Sequence, residues 1–116
     1  MKIAVCAGEK SGDALGHELI LDLKENIENL EVIGVGGPLM EGEGLKSFFP
    51  IKEISYMGLI DPLLNLRKIL KIRKNFINFL KKENPDVFIG IDSPSFNSGI
   101  CKALRRDTNI KTIQYV

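Results

Sequence analysis

The sequence has few of the residues that build metal centres and disulfide frameworks. It holds one histidine, two cysteines and no tryptophan among 116 residues. Cys6 and Cys101 belong to no CxxC pair, so a structural zinc site lacks ligands. Cys6 lies in an apolar run, and we predict that it is a buried free thiol.

Long apolar runs are also missing. No stretch approaches the about 18 apolar residues of a membrane span, and the apolar stretch after Met1 is too short for a secretory signal peptide. We therefore expect a cytoplasmic protein, which leaves contact with a membrane surface open. The length suits a single domain.

The net charge is only +1, which argues against a broad nucleic-acid surface. This total hides a segregation along the chain. Residues 1–62 hold five lysines against eleven acids, a net charge of −6, whereas residues 63–84 hold seven bases against one acid, a net charge of +6. Residues 85–116 add +1. The basic block therefore needs its own explanation.

Apolar runs typical of buried strands alternate with segments that have helical spacing. This alternation predicts an α/β fold with a doubly wound, parallel, Rossmann-like sheet. The predicted strands are 3–7, 31–35, 51–54, 87–91 and 111–116, and the predicted helices are 14–26, 40–44, 66–82 and 96–106, with Pro62 before the third helix and Ser95 as the cap of the last.

Ligands of such sheets bind beyond the carboxyl ends of the strands. Three loops rich in Gly, Ser, Asp or Asn follow predicted strands, at 8–13, 36–40 and 92–97. We therefore expect these loops to form one site.

The first loop, GEKSGD at 8–13, departs from the phosphate-binding P-loop pattern. Glu9 and Asp13 would also repel a polyphosphate. Two interpretations stay open: carboxylates and the Ser11 hydroxyl that bind sugar hydroxyls, or Ser11 or Asp13 as a helix cap.

The second loop, GVGGPL at 34–39, has Leu39 where a dinucleotide-binding motif has its last glycine. It predicts no dinucleotide site, and its glycines serve a tight turn or a close approach to a ligand. In the third loop, Asp92 follows a buried strand. Two interpretations of Asp92 stay open. It is either a general base at the end of a buried apolar strand or the cap of the following turn.

The basic segment 66–83 is strongly amphipathic in a helical projection, with Arg73 as the exception. One interpretation is a crossover helix that packs on the sheet and exposes a solvated basic face. The other is attraction of Arg67, Lys68, Lys71 and Lys74 to anionic lipid or lipid phosphate, helped by apolar residues at 57–60 and 63–64.

Five segments together resemble the start of the lipid-A-disaccharide synthases: AGEKSGD at 7–13, GVGGPLM at 34–40, MG at 57–58, DVFIGIDSPSFN at 86–97 and IKTIQYV at 110–116. The resemblance runs the length of the chain but covers only about the front third of those enzymes. It implies that residues 1–116 are an incomplete N-terminal, acceptor-side domain of a two-domain GT-B glycosyltransferase. The donor-nucleotide domain would then lie outside the chain.

The resemblance implies an inverting transfer of 2,3-diacylglucosamine from its UDP carrier to 2,3-diacylglucosamine 1-phosphate, without a metal or other cofactor. Asp92 would be the general base on the acceptor's 6-hydroxyl group, and Glu9, Ser11, Asp13 and Asn97 would line the acceptor side. The enzyme would sit on the inner face of the inner membrane, contact anionic lipid and bind no nucleic acid. A homo-oligomer stays open.

The sequence departs from the family at Ser95, where the family has a second acid, and at IDPL (60–63), where it has VEVL. No carboxylate pair is therefore predicted beside Asp92. The last predicted strand leaves one face uncovered, which favours the front part of a larger protein over a small complete domain. We expect these 116 residues alone to be inactive. The alternative function is a flavodoxin-like ligand-binding module without catalysis.

Overall fold

The computed structural model describes residues 1–51 and 65–115. Strands and helices alternate along these residues. They are β1 (Lys2–Ala7), α1 (Lys10–Asn26), β2 (Glu31–Val35), α2 (Pro38–Gly42), β3 (Lys46–Ser47), α3 (Leu66–Glu83), β4 (Val87–Ile91), α4 (Pro94–Asp107) and β5 (Lys111–Tyr115).

The strands form one parallel sheet in the order β3-β2-β1-β4-β5. The chain moves outward from β1 to β3 and then returns to the other side of β1 for β4 and β5. The predicted doubly wound α/β fold is therefore confirmed. The order reverses between β1 and β4, which is where sheets of this kind form a ligand crevice.

The apolar runs are buried on both faces of the sheet. Ile3, Val5 and Ala7 belong to the cluster that α1 and α2 cover, whereas Ala4 and Cys6 belong to the cluster under α3 and α4. Side chains alternate between the faces of a strand, so a strand covered on both sides has apolar residues throughout. The prediction that Cys6 is a buried free thiol is confirmed.

Several element boundaries differ from the predictions. Helix α1 begins at Lys10 rather than at residue 14, and α2 begins at Pro38 rather than at residue 40. Helix α4 begins at Pro94 with Ser93 in the N-cap position, so the prediction that Ser95 caps this helix is wrong. Proline suits the first turn because the backbone N–H that it lacks would have no helical partner there.

The small edge strand is Lys46–Ser47, earlier than the predicted strand at 51–54. Ile51 is helical, so that prediction is wrong at its first residue. Residues 52–54, Pro62, the MG pair and the apolar residues at 57–60 and 63–64 lie outside the described residues.

Two apolar side chains on one face of the edge strand β5 are exposed. Ile113 and Tyr115 pair in register with Ile89 and Ile91, so they point to the face that α1 covers. They are 50% and 40% exposed. This face of β5 therefore carries apolar side chains that are about half exposed.

Candidate active site

The loops that follow β1, β2 and β4 meet at one edge of the sheet. Ser11, in the first turn of α1, donates its hydroxyl hydrogen to Oδ2 of Asp92 over 3.1 Å. The Asp13 carboxylate, also in α1, accepts a hydrogen bond from the backbone N–H of Gly37 over 2.9 Å. The loop after β1 therefore joins the other two.

Asp92 directly follows β4 and is partly buried. Its φ is 53° and that of Ser93 is 39°, a left-handed conformation that residues with a side chain seldom adopt. Ser93, and not Asp92, takes the N-cap position of α4. The Asp92 carboxylate bonds instead to Ser11 on the neighbouring loop, at the point where the strand order reverses.

Two glycines after β1 allow this close approach. A Cβ atom at Gly8 would lie 1.9 Å from Oγ of Ser93, and one at Gly12 would lie 3.3 Å from Oδ2 of Asp92. A side chain at Gly8 would therefore push the two loops apart. The glycines of the first loop serve the contact between the loops after β1 and β4.

Asp13 is only 5% exposed. Its Oδ1 accepts hydrogen bonds from the backbone N–H groups of Gly37 (2.9 Å) and Met40 (3.1 Å), and its Oδ2 accepts one from Leu39 (3.1 Å). A carboxylate at a helix N-terminus satisfies N–H groups that have no helical partner. Asp13 therefore caps α2, although the cap interpretation referred to the helix that follows the first loop.

A cavity of about 370 Å³ opens beside this cap, which is a volume suited to a small-molecule group. Charged side chains of Lys10 and Glu41 contribute to its lining, and the remaining lining residues are Asp13, Gly36, Gly37, Pro38, Pro50 and Ile51. The cavity and Asp92 therefore lie on the two sides of the first loop.

The four residues predicted to line the acceptor side divide into two pairs. Glu9 and Ser11 are exposed at the sheet edge. Asp13 is buried in its cap, and Asn97 is 0% exposed. Two of the four therefore face solvent, and the other two support the loops from inside.

The amide of Asn97 lies beneath the Asp92 turn. Its Nδ2 donates to the backbone carbonyl oxygens of Asp92 (2.9 Å), Ile91 (3.3 Å) and Cys6 (3.3 Å). It therefore ties the ends of β1 and β4 together.

Sequence reasoning missed Gln114, whose Nε2 donates to the Asp92 carbonyl oxygen over 3.2 Å. The sequence carries no signal for this contact, because it depends on the register between β4 and β5, which places Gln114 next to Gly90.

The described residues, 1–51 and 65–115, contain no group of three or more His, Cys, Asp or Glu side chains placed to hold a metal ion. Burial raises the pKa of the Cys6 and Cys101 thiols, which disfavours the reactive thiolate. Among the described residues, the loops bring the carboxylates of Glu9 and Asp92 and the Lys10 amine to this edge of the sheet.

Helix α3 packs its apolar side on the sheet through Phe76 and Leu80. The four basic residues singled out on its other side are exposed: Arg67, Lys68, Lys71 and Lys74. Arg73, the exception in the helical projection, turns toward α4, where its guanidinium group fits over Gly99 and donates to the Ser95 carbonyl oxygen over 3.5 Å. Among the described residues, no helix has the length and apolar character needed to cross a membrane.

Comparison with known proteins gives one consistent family. A family model described as lipid-A-disaccharide synthetase matches residues 3–116. The lipid-A-disaccharide synthase of Pseudomonas fluorescens (strain Pf0-1) is 53% identical over 116 residues, which are 100% of this chain and 31% of that protein. That of Pseudomonas syringae pv. tomato is 50% identical over 116 residues, again 100% of this chain and 30% of that protein.

The lipid-A-disaccharide synthase of Pseudomonas putida (strain F1) is 51% identical over 114 residues, 98% of this chain and 30% of that protein. The chain thus spans about 30% of the length of these relatives. Because the family model matches nearly every residue, the resemblance carried by the loop motifs is confirmed, and the chain belongs to the lipid-A-disaccharide synthetase family.

Proposed function

We propose that this chain is the acceptor-side part of an inverting glycosyltransferase of lipid A biosynthesis. In this proposal the complete enzyme transfers 2,3-diacylglucosamine from its UDP carrier to 2,3-diacylglucosamine 1-phosphate. Family membership and the names of the relatives support the reaction class. The observation that carries the proposal to this site is the Asp92 carboxylate, held by Ser11 where the strand order reverses.

Asp92 is the proposed general base. It takes the proton of the acceptor's 6-hydroxyl group, whose oxygen then attacks the anomeric carbon of the donor sugar while the bond from that carbon to the UDP oxygen breaks. The proton ends on Asp92, and UDP leaves with the bonding electron pair. A single displacement of this kind inverts the anomeric centre, and a positioned base contributes about 10²- to 10⁴-fold to the rate.

Glu9 and Ser11 are the proposed direct contacts to acceptor hydroxyl groups, since both are exposed on the loop beside Asp92. Asp13 and Asn97 act from inside. Asp13 holds the 36–40 loop next to the cavity, and Asn97 holds the turn that carries Asp92. The acceptor site is thus built from two exposed residues on a frame of two buried ones.

We further propose that the donor-nucleotide domain of a GT-B fold lies outside these residues, so that the chain alone does not catalyse transfer. Two observations support this proposal. The relatives are about three times as long as the matched segment, and the apolar side chains of Ile113 and Tyr115 stand exposed on the face of β5 that a further element would cover.

The exposed basic face of α3 is the proposed contact to the anionic inner face of the inner membrane. The four exposed bases Arg67, Lys68, Lys71 and Lys74 lie on one side of a helix whose other side packs on the sheet. We expect neutralisation of Lys68, Lys71 and Lys74 by glutamine to weaken sedimentation with phosphatidylglycerol vesicles, because each base near such a surface contributes about 1 kcal/mol. Parent binding should weaken with salt. Equal binding of parent and variant would leave α3 a packing role only.

The test of the reaction is Asp92→Asn in the full-length protein, assayed with the UDP-linked donor and the 1-phosphate acceptor. We expect turnover to fall at least about 10²-fold with an unchanged thermal midpoint, since asparagine keeps the shape but accepts no proton. Asp86→Asn is the matched control, because Asp86 lies just before the same strand, at its opposite end. Near-normal turnover of Asp92→Asn would refute the base assignment. Failure of the parent to transfer the sugar would refute the function.

A further inference from the structure

The turn that carries Asp92 is held in an unfavourable backbone conformation. Asp92 and Ser93 are consecutive residues with positive φ, and neither is glycine. A conformation of this kind persists only where the surrounding structure imposes it, and it is common at functional sites. The contacts that impose it therefore set the direction of the Asp92 side chain.

Two side-chain amides converge on one backbone atom of this turn. The carbonyl oxygen of Asp92 accepts from Nδ2 of Asn97 over 2.9 Å and from Nε2 of Gln114 over 3.2 Å. A carbonyl oxygen has two lone pairs, so both bonds fit at once. Asn97 comes from α4 and Gln114 from β5, so the carbonyl is fixed from two elements.

Gly90 leaves the space that this arrangement needs. A Cβ atom there would lie 2.8 Å from both Cβ of Asn97 and Oε1 of Gln114. In the sheet Gly90 pairs with Cys6 on one side and with Gln114 on the other. The two amides therefore sit in a gap in the surface of β4, immediately before the Asp92 turn.

The two amides have different surroundings. Asn97 is completely buried and also holds carbonyl oxygens at the ends of β1 and β4, so it belongs to the frame of the sheet. Gln114 is exposed, and its Nε2 bonds to the Asp92 carbonyl. Its loss should therefore change the turn without removing a core residue.

We propose that Gln114 is a positioning residue, which with Asn97 holds the Asp92 carbonyl and thereby directs the Asp92 carboxylate toward the acceptor. This inference rests on the proposed function of Asp92 as the base. Gln114 itself does not touch the acceptor. It acts through the left-handed turn, because rotation about the backbone at Asp92 moves the carbonyl and the side chain together.

The test is Gln114→Met in the full-length protein, since methionine has a similar length and no N–H donor. We expect kcat to fall about 10- to 100-fold with KM within about twofold of the parent, because a misdirected base weakens the transition state and not substrate binding. Deuterium uptake by the backbone amides of residues 92–97 should rise. Lys111→Met, at the other end of β5, is the matched control and should change neither quantity.

Two results would overturn the inference. One is a kcat within twofold of the parent, whatever the deuterium uptake. The other is a lower kcat with unchanged uptake, which would mean that Gln114 acts by direct contact. If the parent transfers no sugar, the proposed function fails. The uptake measurement then still tests whether Gln114 holds the Asp92 carbonyl. Unchanged uptake in Gln114→Met would refute that role.

Discussion

The buried carboxylate of Asp13 makes a strong prediction about stability. It accepts three backbone hydrogen bonds at the start of α2 and is only 5% exposed. Asp13→Ala leaves these N–H groups without their acceptor. Loss of a helix cap costs about 0.5 to 2 kcal/mol, and hydrogen bonds to a charged group contribute about 1.5 to 3 kcal/mol each. We expect the free energy of unfolding to fall by about 3 kcal/mol. The whole free energy of unfolding is about 6 to 17 kcal/mol for a chain of this length.

The substitution Asp13→Asn distinguishes the contributions of the two carboxylate oxygens. Its amide oxygen can take the place of Oδ1, which accepts from Gly37 and Met40, whereas its NH₂ group would face the N–H of Leu39. One of three bonds is then replaced by two opposed donors. We expect the free energy of unfolding to fall by about 1 to 2 kcal/mol, which is less than the fall expected for Asp13→Ala.

Urea unfolding measures both effects. With a slope of about 1.5 kcal/mol per molar urea, the expected losses move the midpoint by about 2 M for Asp13→Ala and by about 1 M for Asp13→Asn. Asp22→Asn is the matched control, because Asp22 is an exposed acid on the same helix. A neutral surface substitution changes the free energy of unfolding by up to ~0.5 kcal/mol, which corresponds to about 0.3 M urea. If the midpoint of Asp13→Ala lies within about 0.3 M of that of the control, the cap does not stabilise the loop.

Two further predictions concern packing and charge. Gly34 has a φ of 137°, and a Cβ atom there would lie 1.9 Å from the backbone oxygen of Val5, so Gly34→Ala should cost more than about 4 kcal/mol or prevent folding. Gly42→Ala has open space around it and should leave the thermal midpoint almost unchanged; similar midpoints for the two variants would contradict the packing. Hydrogen bonds from Arg106 and from Lys81 hold the pKa of Asp107 well below its usual range. The folded-state pKa is thus below the unfolded value of about 3.9, so this stabilisation is present above pH 4 and is lost as the pH falls further. The difference in thermal midpoint between the parent and Asp107→Asn should therefore shrink from pH 6 to pH 2, and a constant difference would exclude the linkage.

The sheet was predictable because the information for it is local. A strand buried on both faces is apolar at every position, and β1, β2 and β4 were each visible as such runs. The helix α3 was equally clear from its periodicity. Boundaries were less predictable, since Pro94 could stand inside a turn or at the first position of a helix.

The candidate site was predictable only in its outline. Asp92 and the loops at 8–13 and 36–40 follow from the rule that parallel strands end at the same edge. The sequence alone could not assign Gln114, because its contact depends on the register between β4 and β5. A period-two strand pattern shows which face a residue takes and not which residue lies beside it.

The α/β class, the basic face of α3 and the family follow from the sequence alone, because composition, periodicity and ordered motifs can be read along the chain. The roles of the polar side chains depend on the fold. Asp13 bonds to residues 24 to 27 positions away, and Asn97 bonds to Cys6 from 91 positions away. A short polar side chain can cap its own helix, cap another or bind a ligand, and the choice depends on which backbone groups the fold brings within about 3 Å.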